Sequence, residues 1–348
     1  MSVSPPRPRS VLMSAPTTRR NSVETGPPPP FDPELAAELP SLTASVPSSI
    51  TSDMIPELRR RSPRGPTDEE LCRHGAFTVE ERSAPGPPGA PPVPLLVCRP
   101  TRAAAATAAV YYIHGGGMFF GDNRSGLADI MDWAGELALS VVSVEYRLAP
   151  ETPHPGPVED CYAGLLWTVA RADDLGIDPD RLVLAGRSAG GGLAAAVALL
   201  ARDRGGPRPA GQLLVSPMLD DRNDSVSGWQ MSGRGVWDRA SNETGWAALL
   251  GPARGGPDVP YSAAPARATV LSDLPAAYLD VGSAETFRDE SIAYADRLWR
   301  AGGQAELHVW PGAFHNFDAL VPRARISREA RRARLGWLRR LLGAQGRA

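Results

Sequence analysis

The stretch that most constrains the fold lies in mid-chain, where an apolar run, a glycine-flanked serine and an alanine-rich segment follow one another. Arg181 to Gly186 is mainly apolar and short enough for a buried strand, and Ala189 to Arg202 is a strong helix former. Between them lies a Gly-x-Ser-x-Gly turn centred on Ser188. Glycines on both sides permit a strained corner that lifts the serine hydroxyl clear of a sheet. The stretch predicts a nucleophilic serine, the alternative being a serine that only caps the helix.

Strand-like and helix-like segments alternate along most of the chain. The strand-like segments are Phe77 to Arg82, Val93 to Arg99, Ala108 to Ile113, Val141 to Tyr146, Arg181 to Gly186, Gln212 to Ser216, Ala277 to Val281 and Leu307 to Trp310. The helix-like segments are Leu127 to Leu139, Pro157 to Arg171, Ala189 to Arg202, Arg288 to Ala301 and Ser327 to Leu342. A Pro- and Gly-rich loop separates the first two strands, which we expect to pair antiparallel. The later alternation predicts an α/β protein with a mostly parallel eight-stranded sheet and helices on both faces.

Three segments fall outside this alternation. Residues 1–30 are rich in Pro, Ser and Arg and are predicted to be a disordered tail, or alternatively a polyproline ligand. Residues 31–65 contain short helical patterns, and residues 218–250 lack strand signal. We expect both to be cap elements of one α/β domain spanning residues 31–348. The cap tryptophans could line an apolar pocket or simply anchor the cap; they are Trp229, Trp237 and Trp246.

Composition limits the partners and the compartment. The 348 residues carry a formal net charge of -2, which argues against nucleic acid as a partner. No apolar run is long enough to span a bilayer, so stable membrane insertion is not expected. The segment Val11-Leu12-Met13 is too short to be the core of a signal peptide. Three scattered cysteines predict free thiols in a reducing compartment. A cytoplasmic protein is the resulting prediction.

A nucleophilic serine needs a base, and one of the five histidines is well placed to be that base. His315 lies in a glycine-started loop directly after the strand that ends at Trp310, and therefore at the carboxyl edge of the predicted sheet. His308 lies within that strand and is predicted to be a packed side chain. His114 is predicted to be structural. The base is therefore assigned to His315.

The base in turn needs a carboxylate that orients its imidazole. Glu285 follows the strand Ala277 to Val281 by a few residues, on the same edge of the sheet. Asp289 is the second candidate, although it falls within the next helix. The resulting order of serine, acid and histidine along the chain is that of α/β-hydrolases.

A third requirement is a set of donors for a developing oxyanion. The strand Ala108 to Ile113 leads directly into three consecutive glycines, whose N–H groups can approach a ligand without an intervening side chain. The predicted oxyanion hole consists of the amides of Gly115, Gly116 and Ala189. Met118, just after the glycines, and Trp237, in the cap, are the predicted substrate contacts.

Together these motifs resemble the hormone-sensitive-lipase-like branch of the α/β-hydrolases, the family IV esterases. The resemblance covers roughly residues 31–345. It implies the α/β-hydrolase fold, a helical cap, hydrolysis of carboxylic esters with compact or short-to-medium acyl groups, and no metal or organic cofactor. The motifs that carry it are His114-Gly115-Gly116-Gly117, Tyr146-Arg147-Leu148-Ala149-Pro150-Glu151 with Glu159-Asp160, Gly186-Arg187-Ser188-Ala189-Gly190-Gly191, Glu285 to Glu290 and Phe314-His315-Asn316-Phe317.

Two positions depart from the family pattern. The family usually has aspartate immediately before the nucleophile, where this chain has Arg187. Its guanidinium could bind an acidic group of a substrate, or pair with a carboxylate such as Glu159 or Asp160, and the pairing is the favoured interpretation. The family's acid is usually aspartate, whereas Glu285 is a glutamate, which reaches further but performs the same task.

The sequence thus predicts a serine esterase that transfers an acyl group to Ser188 and then to water. An amidase or N-formyl hydrolase would use the same three residues. A small-molecule receptor on a hydrolase scaffold, or a scaffold protein acting through the Pro-rich tail, are alternatives from other classes. A small ester is the expected partner. A homodimer is also possible, because leucines of the C-terminal helix could be covered either by the sheet or by a second copy of the chain; they are Leu335, Leu338 and Leu342.

Overall fold

The computed structural model describes residues 1, 25–45, 47–61, 65–103 and 105–345. Within these residues, eight strands form one sheet. The strands are β1 (Phe77–Ala84), β2 (Val93–Pro100), β3 (Thr107–Ile113), β4 (Ser140–Val144), β5 (Ile177–Arg187), β6 (Gly211–Val215), β7 (Ala276–Gly282) and β8 (Ala305–Trp310). All eight predicted strands are confirmed. The largest shift in a boundary is at the start of β5, because Ile177 still pairs with Thr107 across an irregularity in the register.

Helices follow most of the strands. They are α1 (Pro33–Ser45), α2 (Ile55–Arg61), α3 (Asp68–Cys72), α4 (Leu127–Leu137), α5 (Gly156–Ala170), α6 (Ala172–Leu175), α7 (Ala189–Asp203), α8 (Val226–Gln230), α9 (Arg239–Leu250), α10 (Arg288–Arg300), α11 (Phe317–Leu320) and α12 (Arg325–Gln345). In the described part of the chain, three single-turn 3₁₀ helices complete the set: Ser52–Met54, Gly251–Ala253 and Pro265–Arg267. The five helices predicted from periodicity are α4, α5, α7, α10 and α12, each within three residues of its expected ends.

The order of strands across the sheet is β1-β2-β4-β3-β5-β6-β7-β8. β1 and β2 pair antiparallel, as predicted, and β2 also runs antiparallel to β4. The remaining neighbours pair in parallel. Parallel strands bring their carboxyl ends to the same edge, so the loops after β3, β5, β7 and β8 meet there.

Two hydrophobic cores cover the two faces of the sheet. On one face α5, α7 and α10 pack over residues such as Tyr111 and Leu184. On the other face α4 and α12 pack over alternate residues such as Tyr112 and Val183. Because successive residues of a strand point to opposite faces, a sheet covered on both sides has no polar face, which explains the near-continuous apolar strands. The sheet accordingly covers Leu338 of α12 completely, and the homodimer stays a prediction.

Two segments lie over the carboxyl edge of the sheet. The first contains α1 and α2, and the second contains α8 and α9. They are joined by hydrogen bonds from Ser49 Oγ to Asp238 Oδ2 (2.7 Å) and from the Ile50 N–H to Ser241 Oγ (2.9 Å). We call residues 31–61 and 226–250 the cap segments.

The ends of the chain give two further observations. Most of the predicted Pro-rich tail lies outside the described residues, but Gly26 and Pro27 accept hydrogen bonds from the Gln230 side chain through their carbonyl groups. None of the helices in the described part of the chain combines the length and the apolarity needed to cross a bilayer.

Candidate active site

The turn between β5 and α7 has the strained geometry that its glycines permit. Ser188 has φ 58° and ψ -122°, a region in which residues with side chains are rare. A Cβ at Gly186 would lie 2.1 Å from the carbonyl oxygen of Gly190, and a Cβ at Gly190 would lie 2.1 Å from that of Ile113. Glycine is therefore required on both sides, since any side chain would collide with backbone. The turn holds Ser188 at the start of α7.

Three predicted side chains meet at this turn. His315 Nε2 lies 3.0 Å from Ser188 Oγ, and His315 Nδ1 lies 3.0 Å from Glu285 Oε1. The His315 side chain is 8% exposed and that of Glu285 is fully buried. The edge of the Phe287 ring packs against the imidazole at a centroid distance of 5.1 Å. The imidazole thus bridges the hydroxyl and the carboxylate, and it is itself almost completely buried.

The Glu285 carboxylate is itself fixed from behind. Its Oε2 accepts hydrogen bonds from Ser216 Oγ (2.9 Å) and from the Gly282 N–H (2.7 Å), which leaves Oε1 for the imidazole. Asp289, the second candidate for the acid, instead accepts from the Ser227 N–H at 2.7 Å. The structure therefore brings Glu285, not Asp289, to the histidine.

The glycines after β3 lie beside Ser188. A Cβ at Gly115 would lie 3.4 Å from the Cβ of Ser188, so the loop passes in contact with the nucleophile. Gly116 has φ +121°, and its carbonyl accepts from two later N–H groups at 3.0 Å each. Within the described chain, the N–H groups of Gly115 and Gly116 donate to no protein group. Ala189 is the first residue of α7, where an N–H has no acceptor inside the helix.

His114, directly before these glycines, has the structural role that was predicted. Its imidazole is buried and stacks on the Tyr146 ring at 4.2 Å. Burial lowers the pKa of His114 to about 4, against the opposing effect of its hydrogen bond to Gly115. The neutral ring donates from Nδ1 to the Gly115 carbonyl at 2.7 Å and so fixes the start of the glycine loop. His308 is only partly packed: it stacks against Trp310 at 5.3 Å, but its side chain is 31% exposed.

A cavity of about 610 Å³ opens in front of Ser188 and His315. Its wall is mainly apolar and comes from both cap segments and from the sheet edge. The apolar lining residues include Leu42, Ile50, Phe120, Val236, Trp237 and Leu320. The described structure places Trp237 in this wall, as expected of a substrate contact, whereas Trp246 is fully buried in the core and Trp229 is at the surface.

Met118 does not occupy the position expected of it. It has φ 73° and is 1% exposed, and it belongs to the core cluster rather than to the cavity lining. At this position of the turn the side chain is buried in the core. Phe120, two residues later, takes the place in the wall that was expected of Met118.

Arg187 pairs with carboxylates, as favoured, but not with those that were expected. Its Nη1 and Nη2 bind both oxygens of Asp318 at 2.7 and 3.0 Å, and Nη2 also reaches Asp129 at 3.3 Å. Glu159 instead pairs with Arg204, and Asp160 with Arg147. Those two carboxylates lie on α5, which packs on the opposite face of the sheet from α4 and α12.

Sequence reasoning missed three residues that support the site. Ser216 orients Glu285, and Asn316 and Asp318 bind Arg187. Asn316 and Asp318 lie within three residues of His315, so polar residues close to the proposed base in sequence were the signal that could have identified them. Ser216, with φ 43°, directly follows β6, the strand between β5 and β7, but no local pattern marked it.

Comparison with known proteins agrees with this geometry. A family described as "alpha/beta hydrolase fold" matches residues 110–319. Carboxylesterase NlhH of Mycobacterium tuberculosis is 33% identical over 317 residues, which cover 84% of this chain and 92% of that protein. Hormone-sensitive lipase of Mus musculus is 38% identical over 120 residues, 34% of this chain and 16% of the lipase.

Solved structures give the same result. A bacterial heroin esterase has a TM-score of 0.82 and 39% sequence identity, covering 90% of this chain and 98% of that chain. A hyperthermophilic esterase from Pyrobaculum calidifontis has a TM-score of 0.77 and 29% identity, covering 90% and 99%. The chain belongs to the α/β-hydrolase family, in its hormone-sensitive-lipase-like branch of esterases.

Proposed function

We propose that the protein hydrolyses carboxylic esters of short-to-medium acyl chains through an acyl-enzyme formed on Ser188. The observation that carries the proposal is the pair of 3.0 Å contacts made by the His315 imidazole, one to Ser188 Oγ and one to Glu285. A nucleophile within hydrogen-bond reach of a base, itself oriented by a third group, is the arrangement that activates a hydroxyl. The relatives named as carboxylesterases support the same chemistry.

In the first half-reaction Ser188 Oγ attacks the ester carbonyl while its proton passes to His315 Nε2. Glu285 accepts the Nδ1–H, which fixes the tautomer and stabilises the imidazolium. The imidazolium then protonates the leaving alkoxide, and the alcohol departs. In the second half-reaction, water attacks the acyl-enzyme with His315 as its base, which releases the acid and restores the serine.

The negative oxygen of each tetrahedral intermediate needs donors that are already in place. The unengaged N–H groups of Gly115, Gly116 and Ala189 beside the nucleophile support that role. Donors fixed before the reaction need no reorganisation as charge develops, and removing one typically costs about 3 kcal/mol of transition-state stabilisation.

The cavity supports the proposed substrate class. A volume of about 610 Å³ lies within the range of small-molecule sites. Its apolar wall, with Trp237 and Leu320, suits an alkyl or aryl portion of an ester. We therefore propose a compact, largely apolar ester as the substrate.

A cytoplasmic location is a further proposal, and it rests on the thiols. Cys72, Cys98 and Cys161 are all free. Burial raises the pKa of the Cys98 thiol to about 12, so that thiol is unreactive.

The direct test is hydrolysis of a short p-nitrophenyl ester by the wild type, S188A and H315A, with labelling by a fluorophosphonate probe. We expect the wild type to turn over and to label, and each substitution to lower kcat by roughly 10³-fold or more. Turnover that survives both substitutions would remove the assignment. A folded wild type that neither labels nor turns over would favour the receptor alternative, and preference for an amide over the matched ester would favour the amidase.

A further inference from the structure

The side chain next to the nucleophile reaches across to the loop that holds the histidine. Arg187 precedes Ser188 in the turn, and Asn316 follows His315. Arg187 Nη1 donates to Asn316 Oδ1 at 2.8 Å and to Asp318 Oδ1 at 2.7 Å. The residue before the proposed nucleophile is thus hydrogen-bonded directly to the residue after the proposed base.

The terminal nitrogens of this guanidinium have no hydrogen left for a substrate. Nη1 donates to Asn316 and Asp318, and Nη2 donates to Asp318 (3.0 Å) and Asp129 (3.3 Å). Four contacts use the four N–H bonds on these two atoms. Two carboxylates, those of Asp318 and Asp129, already face the single positive charge of Arg187. Although Arg187 borders the cavity, an acidic substrate group could bind Nη1 or Nη2 only by displacing one of these partners.

The contacts continue behind the site to the strand that precedes the acid. Asp318 also binds Arg334, and Arg334 Nε binds Asp280 Oδ2 at 2.7 Å. Asp280 lies on β7, five residues before Glu285. Arg331 joins from α12 by donating to Asp129 and to the Asp318 carbonyl. Three arginines and three aspartates therefore link the elements that carry the nucleophile, the base and the acid.

We propose that Arg187 is a positioning residue that keeps the His315 loop in register with the nucleophile turn. This inference rests on the proposed function. The Arg187 side chain is 12% exposed and that of Asp318 is 1% exposed, so the bidentate pair is shielded from water and holds its geometry well. Arginine suits this task better than lysine, because its planar fork binds both carboxylate oxygens at once.

A matched control separates positioning from the mere loss of a buried ion pair. Arg267 binds both oxygens of Asp221 at 2.7 and 3.0 Å, with side chains 16% and 0% exposed. This pair resembles the Arg187–Asp318 pair in geometry and burial, but it contacts neither the histidine loop nor the nucleophile turn. We therefore compare R187Q, R187K and R267Q by kcat, KM and the rate of fluorophosphonate labelling on folded protein.

We expect R187Q to lower kcat by about 10- to 100-fold with KM changed less than about threefold, because a misplacement near 1 Å can cost about 10²-fold in rate. The labelling rate should fall in parallel, and R187K should lie between R187Q and the wild type. R267Q should lower the melting temperature but keep kcat within about twofold of the wild type.

Two results would overturn the inference. One is a kcat for R187Q within twofold of that for R267Q. The other is a change in KM alone, confined to esters that carry a carboxylate, which would make Arg187 a substrate ligand. The proposed function is tested separately: if the wild type turns over and S188A does not, the proposed function stands whichever of these results is found.

If R187Q fails to fold, N316G tests the same contact. It removes the side-chain acceptor and keeps a residue suited to the φ of 63° at this position. A several-fold lower kcat supports the inference, and a wild-type kcat overturns it.

Discussion

The sheet edge that carries Ser188, Glu285 and His315 differs in construction from the cavity wall opposite it. The edge residues follow the parallel strands β5, β7 and β8, so sheet hydrogen bonds set the spacing of these loops. The cap segments instead lie across the edge, joined to each other by hydrogen bonds such as that from Ser49 to Asp238. The surface that they present to the cavity is mainly apolar.

This difference separates two kinds of function. A displacement at the sheet edge breaks a directed chain of hydrogen bonds, so we expect its effect to fall on kcat. A change in the wall alters only the volume and shape offered to the substrate, so we expect its effect to fall on chain-length preference. Pairs of identical substitutions, one at the site and one nearby, can test this division for the sheet edge and for the cavity wall.

The largest effect is expected from E285Q. Two donors, Ser216 Oγ and the Gly282 N–H, face Oε2, so the glutamine must turn its carbonyl toward them. Its amide then donates to His315 Nδ1, which places the imidazole proton on Nε2 and prevents Nε2 from accepting the proton of Ser188. We expect kcat to fall by about 10²- to 10⁴-fold, measured with a short p-nitrophenyl ester.

The control for this substitution is E290Q, at a buried glutamate of α10 five residues further along the chain. Burial raises the pKa of Glu290 well above its usual value, against the opposing hydrogen bond from the Leu219 N–H. Because burial favours the neutral form of this carboxyl, we expect its replacement by an amide to change the rate little. Equal losses of kcat in E285Q and E290Q would contradict the assignment of Glu285 as the acid.

An intermediate effect is expected from I50A in the wall. Ile50 is 2% exposed and lines the cavity, so truncation should enlarge the space for an acyl chain. We expect kcat/KM to rise several-fold for longer acyl esters relative to acetate, and stability to fall by about 2–5 kcal/mol. A panel of p-nitrophenyl esters and a denaturant titration measure the two changes.

I55A is the matched control, because Ile55 is 5% exposed in the same cap segment but is not part of the cavity lining. It should lose comparable stability and keep the wild-type preference. If both variants shift the preference alike, the shift reflects general loosening of the cap segment and not the cavity wall.

The smallest effect is expected from S49A. The Ser49–Asp238 bond joins the cap segments, and Asp238 Oδ2 also accepts from the Gly233 N–H, so the carboxylate keeps a partner. We expect the free energy of unfolding to fall by about 1 kcal/mol and kcat to stay within about twofold. Limited proteolysis should cut residues 47–61 of S49A faster than those of the wild type.

The control is T51A, which removes a bond to Asp53 within the same cap segment and should leave the rate of cutting unchanged. Faster cutting of T51A would contradict a role for the bond between the segments.

The strands and helices were predictable because their signals are local. Apolar runs, periodicity and glycine turns are properties of neighbouring residues, and they located all eight strands. The start of β5 at Ile177 was not predictable, because it depends on pairing with Thr107, 70 residues away. The N-terminus of α1 depends on a local contact, because Asp32 accepts hydrogen bonds from the Glu34 and Leu35 N–H groups.

The contacts of the site divide in the same way. Ser188, Glu285 and His315 follow strands of a parallel sheet, so their meeting could be inferred from topology alone. The partners of Arg187 could not, because Asp318 lies 131 residues away and reaches it only through the packing of α11 and α12 on the sheet. Met118 shows a further limit, because its residue type and its place after the glycines did not reveal that it is buried in the core and does not line the cavity.

The backbone at Ser188 has a consequence for attempts to improve the protein. Holding a serine at φ 58° and ψ -122° costs of the order of 1–3 kcal/mol, which glycine would not incur. A library screened for heat resistance alone should therefore enrich an inactive glycine at this position. Selection for thermal stability and selection for turnover thus oppose each other at this one position, and a useful screen must measure both.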